Sequence, residues 1–167
     1  YLQLQHDGND PPGSSWFMPS YTGPTMYTST DKYQKLQFAD IEKNKAEHAT
    51  KSTDGWTAIS QHFFVSAFIP ADKAQRQIYT KKDGPNLYSI GSVLPLGTVA
   101  PGTKVSTETR LYSGPQDEQK LEQTAPGLEL VKDYGMLTII AKPIWWLMNQ
   151  IHALMGNWGW TIIVFTI

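Results

Sequence analysis

From Gly135 to Ile167 the chain carries one permanently charged side chain, Lys142, whereas Asp31 to Asp54 alone carries ten. That contrast constrains the fold more than any other feature. Charged side chains are what a water-facing surface is mostly built from, so a tail without them belongs in a protein core or in lipid. The first part of the chain lives in water; the tail is expected in a different solvent. The last stretch, WGWTIIVFTI over Trp158–Ile167, has no charge at all. A spanning helix needs roughly 20 apolar residues, and this stretch supplies half of one. Trp158 and Trp160 stand where interfacial aromatics belong, at the edge of the hydrocarbon. The expectation is the start of a transmembrane helix over 157–167. A terminal strand is the alternative, since Trp, Thr, Ile, Val and Phe all favour strands, but no polar residue alternates through it as a half-exposed strand requires.

The segment before it, Tyr134–Met155, reads as a helix. Thr138, Lys142, Asn149 and His152 follow one another at spacings of four, seven and three, which places them along one helical stripe with Trp145 between. Most other positions are Ile, Leu, Met, Trp or Ala. A buried core helix is the plain reading of such a segment. Its length, its paired tryptophans Trp145 and Trp146 and its direct continuation into another apolar run favour an amphipathic helix over 134–155 lying in a membrane interface. Leu147 and Ile151 then join the lipid-facing side with Ile139, Ile140, Ile144, Met148, Leu154 and Met155. Lys142 snorkels its ammonium to the headgroups, and Asn149 and His152 stay at the wet side. Pro143 is expected to kink this helix or to start its main part, because it cannot donate to the ladder.

Residues 1–113 carry strand patterns. Leu2 and Leu4 alternate with Gln3 and Gln5. Thr57 to Ile69 places Ile59, Phe63, Val65, Ala67 and Ile69 at one parity, with a stop at Pro70, and TKVSTETRLY over 103–112 alternates with Leu111 on its apolar side. Gln77–Thr80 and Leu87–Val93 flank KKDGPN, where Asp83-Gly84 signals a hairpin turn. Short strands divided by turn chemistry imply a β-sandwich. Asp40–Lys51 is polar all round and reads as loop or short helix. After Gly114, Pro115 and the acid-rich QDEQKLEQ predict an edge helix over about 115–125, closed by Pro126 and Gly127.

Chemistry-bearing constellations are not legible. The 14 basic and 15 acidic residues leave a net charge of −1, which gives no reason to expect a nucleic-acid partner. Cysteine is absent, which excludes disulfides and thiolate metal sites. No nucleophile elbow, zinc helix, phosphate loop or dinucleotide motif is present. His6, His48, His62 and His152 share no ligand spacing. His62 reads as a structural residue on the less apolar side of a strand. Asp31, Asp40, Glu42, Glu47 and Asp54 lie along lysine-rich loops and read as solvated surface. No catalytic residue, cofactor or metal is therefore expected.

Two stretches carry a resemblance. LYSGPQDEQKLEQTAPGLELVKDYG (111–135) and AKPIWWLMNQIHALMGNWGWTII (141–163) resemble the YidC membrane-protein insertases of bacterial inner membranes, and the likeness extends through YTSTDKYQKLQF (27–38) and DGWTAISQHFFVSAFIP (54–70). The resemblance implies a mainly β fold, part of a periplasmic β-supersandwich with a closing helix. It also implies an interfacial helix and a first stretch of the second transmembrane helix. On that reading residues 1–132 are the later part of the periplasmic domain, the chain is a fragment, and the groove and its arginine lie beyond Ile167. The supersandwich is similar to mutarotase-type sugar enzymes, which is likeness of fold and not of activity. The resemblance further implies an insertase and chaperone in protein transport, working alone or beside the Sec translocon. Its partners would be the lipid bilayer and nascent membrane proteins. Two other classes are a membrane-anchored carbohydrate-binding sandwich and a generic scaffold domain. Within twenty residues before Trp158 the only Lys or Arg is Lys142, a poor cytoplasmic flank, so the β part is expected on the non-cytoplasmic side.

Overall fold

The computed structural model describes residues 1–9, 21–132 and 138–166. They fall into two units, Tyr1–Lys132 and Asp133–Ile167. The first is mainly β. Strands β1 (Leu2–Asp7), β2 (Gly23–Thr28), β3 (Lys32–Lys35), β4 (Lys51–Ser52), β5 (Trp56–Ser60), β6 (Phe64–Pro70), β7 (Arg76–Gly84), β8 (Leu87–Val93) and β9 (Thr109–Pro115) form two antiparallel sheets. The sheets run β1-β8-β7-β4 and β3-β2-β5-β6-β9. Short helix α1 (Phe38–Glu42) follows β3; α2 (Glu118–Thr124) and a 3₁₀ turn (Leu128–Val131) follow β9.

Period-two alternation gives the five-stranded sheet two covered faces. Met26 of β2 and Ile59 of β5 meet Ile78, Tyr88 and Ile90 of the other sheet, joined by Leu36 and Ile41, with Leu4 and Phe38 packed against them. This is the sandwich core. On the opposite face Trp56, Ala58, Val65, Ala67 and Ile69 meet Leu121, Ala125, Leu128 and Val131 from α2 and the 3₁₀ turn. Trp56 is 2% exposed. Its indole N–H donates to the Pro126 carbonyl at 3.1 Å, and its ring stacks on Tyr27. The closing helix is therefore the lid of a second core.

Four sequence expectations are corrected here. Thr57–Ile69 is not one strand but the β5–β6 hairpin, in which Ala58 pairs with Ala67. Ile59 consequently faces the sandwich core while Val65, Ala67 and Ile69 face α2, and His62 lies in the turn. The turn has no Gly or Pro to announce it. It is closed from outside, by Gln116, whose amide donates to the carbonyls of Gln61 (2.7 Å) and Phe64 (3.2 Å) and to Ser60 Oγ (3.0 Å). The 103–112 strand begins only at Thr109, since its partner β6 ends at Pro70, opposite Thr109. Its polarity is also reversed: Tyr112 packs on the α2 core while Leu111 is 58% exposed. The β7–β8 chain reversal falls at Pro85–Asn86, two residues past the Asp83-Gly84 signal, with a register shift between Lys82 and Gly84. Finally, Pro115 ends β9 and does not start a helix. Asp117 caps α2, its carboxylate accepting from the backbone N–H of Gln119 and Lys120.

Candidate membrane-contact surface

The second unit contains helices α3 (Thr138–Met155) and α4 (Trp158–Thr166). Residues 134–137 of the expected interfacial helix, and Ile167, lie outside the described residues, as do the side chains of Thr138, Ile139 and Lys142. Pro143 is the sixth residue of α3, so the helix continues through it. The terminal stretch is helical, which disposes of the strand alternative. Over the described residues neither helix is long and apolar enough by itself to cross a membrane.

The break between them is built by two residues. Gly156 adopts φ +64°, a left-handed conformation that suits glycine at a helix C-terminus, and its N–H donates to the His152 carbonyl at 2.7 Å. Asn157 then caps α4, its side-chain oxygen accepting from Gly159 N at 2.8 Å and Trp160 N at 3.4 Å. Across this corner the Trp158 ring stacks on His152, centroids 4.0 Å apart and planes within 8°, and on Trp145 at 5.8 Å and 12°. Of the polar stripe, His152 is thus turned toward α4, and Asn149 and His152 are both half-buried. The apolar side faces out. Ile140, Ile144 and Leu147 of α3 are exposed, Trp146 is 63% exposed and Leu154 90%. On α4 Trp160, Ile162, Ile163 and Val164 are exposed as well. Ile151 is half-buried between the two sides. In water such a surface carries a large hydrophobic penalty; in lipid it carries none.

A family profile describing the YidC periplasmic domain matches residues 1–147. The chain belongs to that family. A "Membrane protein insertase YidC" from Herminiimonas arsenicoxydans is 61% identical over 168 residues, and one from Janthinobacterium sp. (strain Marseille) 56% over 167. A third, from Ralstonia nicotianae, is 51% identical over 167. Each alignment covers 100% of this chain but 30% of the relative. Membership of the YidC family accounts for the mainly β first unit, a periplasmic-domain fold, and disfavours the carbohydrate-binding and scaffold readings. The stacked pair Tyr27–Trp56 agrees, because it lies in a core and not on a sugar-facing platform.

Sequence reasoning missed one exposed feature. Phe63, 67% exposed, and Phe64, 54% exposed, stand at the β5–β6 turn. The available signal was their adjacency: neighbouring strand residues face opposite sides, so two consecutive phenylalanines cannot both enter one core. Among the described residues no group of three or more His, Asp or Glu side chains is placed to hold a metal ion.

Proposed function

We propose that this chain is the later part of the periplasmic domain (1–132), the interfacial helix (134–155) and the first stretch of a transmembrane helix (157–167) of a membrane-protein insertase. The whole protein would integrate and help fold nascent inner-membrane proteins, alone or with Sec translocon subunits. The chain spans 30% of its relatives' length, so the insertion groove itself belongs to other parts of such a protein. The chain's own contribution is placement rather than catalysis.

The observation that carries this reading is the outward apolar side of α3 and α4 combined with the half-buried Asn149 and His152. Trp145, Trp146, Leu147, Ile151, Trp158 and Trp160 serve as lipid-interface residues, with Lys142 and His152 at the polar level. The β6–β9 end of the face opposite α2, where Leu111 pairs with Phe68 and is exposed, is the seam against which further strands of the same domain pack. The deciding experiment is flotation of the chain with vesicles. Burying a large aliphatic side chain is worth about 1.5–3 kcal/mol, so Ile144→Asp or Leu147→Asp should lower the partition coefficient by about tenfold or more. Asn149→Asp should change it far less. Equal effects at all three positions would return α3 to the buried-core reading.

A further inference from the structure

We infer that the β5–β6 hairpin tip, Gln61–Phe64, is a second lipid-contact point of the periplasmic unit. The inference rests on the interfacial reading of α3 and extends it to the β domain. Three observations within the β unit carry it.

The first is direction. Gln116 holds the tip through its backbone N–H, which donates to the Phe63 carbonyl at 2.9 Å, and through the side-chain bonds described above. Two residues on, Glu118 lies 4.0 Å from Lys132 Nζ. Trp56, at the far end of β5, is bonded instead to Pro126. Helix α2 therefore runs away from the tip and the 3₁₀ turn brings the chain back, so Lys132 stands at the tip end. Beyond Lys132 the sequence enters the apolar second unit. The end of the domain that hands the chain to the lipid-seeking helices is the end that displays Phe63.

The second is chemistry. Ser60, Gln61, His62, Phe63 and Phe64 carry no permanent charge, and His62 meets the Phe63 ring edge-on at 4.0 Å and 83°. An uncharged aromatic tip suits the boundary of headgroups and acyl chains, with Glu118 and Lys132 of the same end left at the headgroup level. The third is rigidity. The Gln116 bonds fix the backbone that carries the exposed ring before any contact forms, which removes part of the ordering cost of binding.

The test uses the full-length protein, free of other cysteines, in vesicles of phosphatidylethanolamine and phosphatidylglycerol. Phe63→Cys, Thr30→Cys and Ile144→Cys are each labelled with an environment-sensitive fluorophore. Thr30 lies in the β2–β3 turn, at the Trp56 end of the same sheet, since Tyr27 pairs with Trp56. A shallow lipid-borne quencher should dim position 63 at least twofold more than position 30, and aqueous iodide should show the reverse order. Quenching at 144 but not at 63 sinks the tip inference and leaves the α3 reading standing. Quenching at neither removes the α3 reading and this one with it. Shielding of position 63 from both quenchers means that protein covers the tip, which also overturns the proposal.

Discussion

At the residue scale the turn before β5 shows how one backbone conformation and one carboxylate share a task. Gly55 has φ +85°, and a Cβ there would lie 1.8 Å from the Tyr27 carbonyl oxygen. Gly55→Ala should therefore destabilise the β unit by more than about 1 kcal/mol, read from urea unfolding. Beside it, Asp54 accepts from Ser52 Oγ at 3.0 Å and from Ser29 N at 3.3 Å. Hydrogen bonding from Ser29, and more weakly from Ser52, holds its carboxyl below the ordinary 3.8. A carboxylate depressed in the folded state contributes stability above its unfolded value and loses it as pH falls through the folded one. Stability should thus decline as pH drops below 3.8, and Asp54→Asn should flatten that part of the profile while lowering stability at neutral pH. An unchanged acid limb in the Asn variant would remove Asp54 from the account. The sequence offered no sign of either role, and Asp54 read only as solvated surface, because the Tyr27 carbonyl and the Ser29 N–H that they meet are remote along the chain.

At the scale of elements, α2 rests on Asp117 and on the apolar side it presents to the sheet. Asp117→Ala should cost about 1 kcal/mol, whereas Asp117→Asn should be close to neutral, since an amide oxygen also caps. Thermal melts of the two variants separate cap chemistry from charge. The helix was legible as an element but its start was not: Pro115 is a favoured first helical residue, yet here it completes the β6–β9 ladder. The β5–β6 hairpin failed for a related reason. Its turn residues have no unusual backbone demand, and the clamp that closes it comes from Gln116, remote in sequence. α3 was more readable, because a stripe of polar residues at helical spacing survives without tertiary help.

At the scale of the whole molecule, the two units differ in charge. Lys142 is the only permanent charge from Gly135 onward, so vesicle association should be driven by apolar area and not by attraction to anionic lipid. Raising salt from about 0.05 to 0.5 M shortens the screening length severalfold, yet the bound fraction should change by less than about twofold. A steep fall with salt, or strict dependence on anionic lipid, would instead assign binding to the lysine-rich surface of the β unit. That surface is already largely self-satisfied at one point, where Lys82 pairs with Glu42.

The sequence by itself determined the division into a charged β part and a helical tail with a single permanent charge, the class of each, and the family. These are properties of composition and short-range period, which a chain carries wherever it folds. Only the tertiary structure decided which side of a strand is inside. The five-stranded sheet has a core on each face, one with the second sheet and one with α2, so alternation alone could not say that Tyr112 and not Leu111 faces a core, nor that Ile59 and Val65 belong to different ones. Likewise only the fold brought Gln116 to Gln61 and Lys132 to Glu118. Those pairings join residues far apart along the chain, and it is packing, not local propensity, that sets them.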